Sequence, residues 1–126
     1  MNFIDVNHIA IIATDLAQSK DFYVDKLGFE IASRHDRPEK QDIILNLVKN
    51  GLRLEIFIKP NAPKRPSYPE ATGLRHLALT VNHIEDIVAE LKSQGIAVQE
   101  IRHDSFTGEK MVFFTDPDGL PIELHE

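Results

Sequence analysis

The sequence predicts an α+β fold: two tandem β-α-β-β-β modules whose mixed sheets curl into a cup. Three observations lead there. The chain repeats itself at an offset of 68 positions. Asn7-His8-Ile9-Ala10-Ile11 lies on Arg75-His76-Leu77-Ala78-Leu79, and Asn50-Gly51-Leu52-Arg53-Leu54-Glu55 on Asp118-Gly119-Leu120-Pro121-Ile122-Glu123. A fixed offset of this kind marks a duplicated structural unit. In each half the apolar pattern switches once from strand alternation to a helical stripe and back. Turn residues also recur near the same place in both halves.

The first module opens with an alternating, β-branched run over 8–13. Asp15 followed by Gln18 has the capping-box form that satisfies the first free N–H groups of a helix. Leu16, Phe22, Tyr23 and Leu27 supply a somewhat irregular inner face, and Gly28 sits where a left-handed cap ends the helix. Strands are expected at 30–35, 42–48 and 53–58, the last two joined through Asn50-Gly51. The second module repeats the plan, with a strand over 76–81 and a capping box from Asn82 to Glu85. Ile84, Ile87, Val88 and Leu91 form the stripe of a helix lying on a sheet, and Gly95 closes it. Strands follow at 98–102, 110–115 and 122–125, with Asp116-Pro117-Asp118-Gly119 as the hairpin turn. Residues 1–126 thus make one domain, with modules at about 1–58 and 73–126. The segment 59–72, with Pro60, Pro63, Pro66 and Pro69, reads as a linker or a cover over a site.

Composition narrows the function. A length of 126 residues, 42% hydrophobic and 27% charged, is that of an ordinary globular domain. A net charge of −6 lacks the basic footprint that nucleic acid or an anionic membrane surface requires. There is no cysteine, so disulfides, thiolate nucleophiles and thiolate zinc sites are excluded. No apolar stretch reaches membrane-spanning length and the N-terminus lacks a leader pattern, so a cytoplasmic protein is expected.

Four polar residues carry the chemistry. His8 and His76, and Glu55 and Glu123, are each 68 apart. Strand alternation places each of them opposite an aliphatic face: Leu54, Ile56 and Ile58 behind Glu55, Ile122 and Leu124 behind Glu123. Two carboxylates sharing one concave surface repel each other unless one is protonated or a cation intervenes. Two neutral imidazoles and two carboxylates around one divalent ion make a neutral complex. That donor set suits Zn, Ni or Co, with Fe or Mn also compatible, and the lack of sulfur disfavours copper(I). A lone histidine or glutamate on a strand is usually solvated. Solvation alone does not account for both pairs at one offset.

With these residues in place, the chain resembles the vicinal oxygen chelate superfamily of glyoxalase I, extradiol dioxygenases and bleomycin-resistance proteins. Within it the chain is most similar to small bacterial lactoylglutathione-lyase-like proteins. The resemblance runs through Val6-Asn7-His8-Ile9-Ala10-Ile11, Asp21-Phe22-Tyr23 with Leu27-Gly28-Phe29, Leu54-Glu55-Ile56-Phe57, Gly73-Leu74-Arg75-His76-Leu77-Ala78, and Asp116-Pro117-Asp118-Gly119 leading to Glu123. It implies a homodimer that takes a small-molecule substrate. A His-Glu-His-Glu set is similar to that of glyoxalase I, which implies a metal-dependent lyase or isomerase. Its substrate would be a small α-hydroxycarbonyl or the thiol adduct of one. The metal acts there as a Lewis acid on two adjacent oxygens and stabilises an enediolate. Glu123 is the expected base, with Glu55 the alternative. Extradiol dioxygenases, metal-dependent thiol transferases and metal-free binding proteins are the competing readings. Ile12 and Lys59 stand where bacterial glyoxalase I carries an arginine and an asparagine that contact glutathione, so glutathione is not carried over.

Substrate contacts are expected from Arg53 and Phe57, which share the Glu55 face, from Lys59, and from His125, which shares the Glu123 face. Arg75, beside His76, could steady a carboxylate. Arg34-His35-Asp36 and its repeat Arg102-His103-Asp104 read as exposed strand ends, and His83 as a solvated residue of a first helical turn.

Overall fold

The computed structural model covers residues 1–126, and the chain divides into two units, Met1–Pro63 and Lys64–Glu126. Unit 1 holds β1 (Ile9–Ala13), β2 (Glu30–Arg37), β3 (Asp42–Lys49) and β4 (Leu52–Ile58) in one sheet of order β1-β4-β3-β2. Unit 2 holds β5 (Leu77–Thr80), β6 (Arg102–His103), β7 (Lys110–Thr115) and β8 (Pro121–His125) in the order β5-β8-β7-β6. In each sheet the first strand pairs parallel with the last, and the other pairings are antiparallel. The β-α-β-β-β order expected from the repeat is present twice.

Alternation decides what is buried. On β4, Leu54, Ile56 and Ile58 are buried while Arg53, Glu55 and Phe57 lie on the other face. On β8, Ile122 and Leu124 join Val112 and Phe114 of β7 in the second core. No helix is long and apolar enough to cross a membrane.

The first helix begins as its capping box predicts. The Asp15 carboxylate accepts the Gln18 N–H at 2.8 Å at the start of α1 (Leu16–Ser19). Asp15→Ala is expected to lower stability by about 1 kcal/mol, read as a shift in urea midpoint at unchanged slope; no shift would mean that solvent caps this end equally well. The irregular spacing has a structural counterpart, because the helix continues over Lys20–Lys26 as a π-helix. The Leu27 N–H reaches back five residues to the Phe22 carbonyl at 2.9 Å. This wider winding lets adjacent Phe22 and Tyr23 both turn inward, their rings packed edge to face at 4.9 Å. Gly28 then takes a left-handed φ of +77°, where a Cβ would come within 2.8 Å of Lys49 Nζ, the donor that closes the Leu27 carbonyl.

Three expectations need correction. His8 and His76 directly precede β1 and β5 and are not part of them. The second helix, α2 (Ile84–Ser93), is not started by an Asn82 capping box. His83 takes a left-handed φ of 57° just before the helix, and the Ile84 N–H is accepted at 3.2 Å by the Glu126 side chain. A distant carboxylate thus does what a local one was expected to do. The strand expected over 98–102 is also broken. Val98 makes an isolated bridge to Phe114, the ladder lapses over 99–101, and only Arg102–His103 pair with Met111 and Lys110.

The proline-rich segment is divided between the units, after Pro63. Arg65 ties its second half to the strand entry of unit 2, donating to the carbonyls of Leu74 at 3.0 Å and Arg75 at 3.1 Å and to Ser67 Oγ at 2.9 Å.

Candidate metal centre

Each unit brings one histidine and one glutamate together. In unit 1, β1 and β4 run parallel with Ala10 opposite Glu55, so the residue two places before Ala10 leans over the same face. His8 Nε2 comes to 2.7 Å from Glu55 Oε2. Unit 2 repeats the arrangement with Ala78 opposite Glu123, and His76 Nε2 lies 2.9 Å from Glu123 Oε2. The small alanine in each register leaves room for the carboxylate. No group of three or more His, Asp or Glu side chains that could hold a metal ion is present in the chain; what the structure contains is two matched N,O pairs.

The donor chemistry of these pairs fits a cation. The His8 Nδ1–H donates to the Asn7 side-chain oxygen at 2.8 Å, which turns Nε2 toward Glu55. An imidazole lone pair and a carboxylate oxygen this close need a positive particle between them, a proton or a metal ion. In unit 2, Arg75 Nη1 stands 3.4 Å from His76 Nδ1, and Nε2 is the ring nitrogen that faces Glu123. Phe113 packs edge-on against the His76 ring at 5.2 Å and stands opposite Glu123 in the β7–β8 register. Glu123 is the more enclosed carboxylate, its side chain 9% exposed against 23% for Glu55.

The unit 1 pair borders an opening in its own unit, and in unit 2 His76, without Glu123, borders another. A cavity of about 300 Å³ in unit 1 is lined by Asn7, His8, Ser33, Asn46, Arg53 and Glu55. A cavity of about 230 Å³ in unit 2 is lined by Tyr68, Arg75, His76, Arg102 and Phe113 among others, with residues 65–71 of the proline-rich segment as one wall. That segment therefore borders His76, in keeping with a site cover.

The other expected residues fall as follows. Arg53 lines the unit 1 cavity beside Glu55. Phe57 lies under the Arg37 guanidinium, 5.5 Å from its ring centre. Lys59 has Asp42 as its partner, at 2.6 Å. His125 donates to the Glu126 carbonyl at 3.0 Å and stands 3.5 Å from Glu109 and 3.8 Å from Asp104. That hydrogen bond, with the negative charge of Glu123 and Glu109, raises its pKa. Arg75 pairs with Glu70, away from the Glu123 carboxylate. Arg34 pairs with its neighbour Asp36 on the surface, as the reading of exposed strand ends expects.

Asp42 was not anticipated. Its buried carboxylate accepts from Arg37 Nε at 2.7 Å, from Arg37 Nη2 at 2.6 Å and from Lys59. The only sequence signal was one acidic residue heading an apolar run. These cations hold the Asp42 pKa far below the usual carboxylate range, the Arg37 hydrogen bonds first and Lys59 second. A group depressed in this way stabilises the fold fully above its unfolded value, about pH 4, and the contribution is lost as pH falls through the folded value. Wild-type urea midpoints should therefore fall more steeply from pH 5 to pH 2 than those of Asp42→Asn. Parallel curves would refute the linkage.

A sequence model described as the glyoxalase/bleomycin resistance protein/dioxygenase superfamily matches residues 5–124. The crystal structure of a glyoxalase family protein from Enterococcus faecalis superposes with a TM-score of 0.97 at 56% identity, covering 100% of both chains. The uncharacterized protein YaeR of Escherichia coli (strain K12) is 49% identical over 122 residues, 96% of this chain and 95% of that one. The metallothiol transferase FosB of Staphylococcus epidermidis is 30% identical over 122 residues, 95% of this chain and 81% of the relative.

Proposed function

Because the chain belongs to the glyoxalase/bleomycin resistance protein/dioxygenase superfamily, we propose that it is a metal-dependent lyase or isomerase of glyoxalase I type. The residues that would hold a divalent ion are His8 and Glu55 of unit 1 and His76 and Glu123 of unit 2, with zinc, nickel or cobalt before iron or manganese. The observation that carries this is the duplicated N,O pair, Nε2 to Oε2 at 2.7 and 2.9 Å, at equivalent register in both units. When bound, the ion supplies Lewis acidity toward two adjacent oxygens of a small α-hydroxycarbonyl or its thiol adduct.

The remaining work falls to side chains. Glu123, enclosed beside Phe113, removes the proton α to the carbonyl and returns it to the neighbouring carbon. Glu55 is the alternative base. Arg53, which lines the unit 1 cavity, borders the substrate, with Phe57 further along the same strand face, and Phe113 keeps water from the flank of His76. Phe3, Ile4 and Val6, at 85%, 95% and 69% exposure, form an apolar patch leading toward His8, which supports a homodimer.

The test is elemental analysis of the purified protein followed by assay of lactoylglutathione formation from methylglyoxal and glutathione. Full metal loading without turnover retires glutathione; absence of bound or bindable divalent metal retires the enzyme. The relative named a metallothiol transferase supports a second reading, transfer of a thiol to a small electrophile at the same centre.

A further inference from the structure

We propose that Ser33 and Asn46 form an uncharged subsite beside Glu55 that reads hydroxyl groups of the substrate, which makes its carbon chain a short, polyhydroxylated, sugar-derived one. The inference rests on the proposed α-hydroxycarbonyl chemistry for what occupies the adjoining His8–Glu55 pair. Register places the groups in one row. Ala10 stands opposite Glu55, Glu55 opposite Asn46, and Asn46 opposite Ser33, so four neighbouring strands each present one residue on the same face. Strands in a sheet lie about 4.8 Å apart, which sets Asn46 ~5 Å and Ser33 ~10 Å from the Glu55 strand. Both are half-buried. Together with His8 and Glu55 they line the cavity of about 300 Å³. A chain whose reacting carbons sit at Glu55 therefore meets this pair a few carbons further on.

Ser33 owes its place to a β-bulge. Ile31 stands opposite Leu47, but by Ser33 the register has slipped by one residue, with Ala32 as the extra one. In the unslipped register Ala32 would oppose Asn46, and no hydroxyl would stand in the row. Bulges of this kind re-aim side chains beside functional sites. The Asn46 carboxamide donates to Ser33 Oγ at 2.9 Å. That bond leaves the second Nδ2 hydrogen of Asn46, its Oδ1 and the Ser33 O–H to meet a ligand. Donors and acceptors without charge suit a hydroxyl, which is both, better than an ionised carboxylate, which only accepts. The charges lining the cavity agree, since Arg53 and Glu55 offset each other. Strand pairing itself does not demand an amide here. In unit 2, Phe113 stands opposite Glu123 where unit 1 has Asn46 opposite Glu55.

The test titrates full-length protein, supplied with zinc, with erythrulose and separately with 1-hydroxy-2-butanone, followed by NMR. The two probes share a carbon skeleton and an α-hydroxycarbonyl, and only erythrulose carries further hydroxyls. Erythrulose should bind at least ~fivefold more tightly, as one or two added hydrogen bonds allow, and should shift the Asn46 carboxamide signals. Ser33→Ala and Asn46→Leu should each remove most of that preference without weakening the binding of 1-hydroxy-2-butanone, and Ser33→Thr, which keeps the hydroxyl, should retain it. Equal affinity of the wild type for both probes, binding of neither, or an undiminished preference in Ser33→Ala and Asn46→Leu overturns the subsite. Zinc content of the same samples is read independently by elemental analysis. A protein that holds zinc without preferring erythrulose loses only the subsite, and one that prefers erythrulose without holding zinc loses only the metal centre.

Discussion

Replacing His76 by alanine is expected to cost at least ~100-fold in affinity for zinc, since loss of a mere supporting partner of a ligand already costs 10–100-fold. His8→Ala should do the same. The pairing of the two variants is what gives the experiment its force. If His8, Glu55, His76 and Glu123 serve one ion, each substitution removes nearly all binding. If the two His–Glu pairs act separately, each removes half the stoichiometry and leaves the other half at wild-type affinity. Both histidines are partly exposed, at 44% and 25% of their side-chain surface, so the fold should tolerate the change. Far-UV circular dichroism and the urea midpoint of the metal-free variants check that. Zinc bound at full stoichiometry and undiminished affinity by either variant would end the four-ligand reading.

Glu123→Gln should abolish most proton transfer while leaving a carboxamide oxygen that can still act as a weak donor. Loss of a positioned base is worth ~10²–10⁴-fold in rate, or about 3–6 kcal/mol at 1.4 kcal/mol per tenfold. The measurement is exchange of substrate-derived protons with solvent deuterium during conversion of the methylglyoxal–glutathione adduct, at saturating metal so that weakened binding does not masquerade as lost catalysis. Glu55→Gln is the matched comparison. A larger loss at Glu123 supports its assignment as base, consistent with its greater enclosure. A larger loss at Glu55 transfers the role to Glu55, and equal small losses point away from proton chemistry altogether.

Much of this molecule could be read before its coordinates, and the reasons are physical. Period and punctuation located seven of the eight strands closely, because Leu54-Glu55-Ile56-Phe57-Ile58 and its counterpart in β8 bury one face and leave the other open. The repeat identified both His–Glu pairs because each sits at a strand register that duplication preserves. Tertiary detail was less legible. Asp42 finds its partners at positions 37 and 59, a relation that follows from strand pairing and leaves no local signature. Ile84 is capped by Glu126, 42 residues away, and no window centred on the helix contains that donor–acceptor pair. The strand expected over 98–102 looked continuous because Val98 and Ile101 are β-branched, yet pairing lapses over 99–101.

The widened coil over Lys20–Lys26 carries a consequence for length variation in this chain. Deleting a single residue there would let the backbone resume an ordinary α-helical winding. Successive residues would then step by about 100°, and two neighbouring aromatic rings could no longer both face inward. Either Phe22 or Tyr23 would be swung toward water, so a shortened variant should keep its helix content while losing the side-chain packing that anchors it.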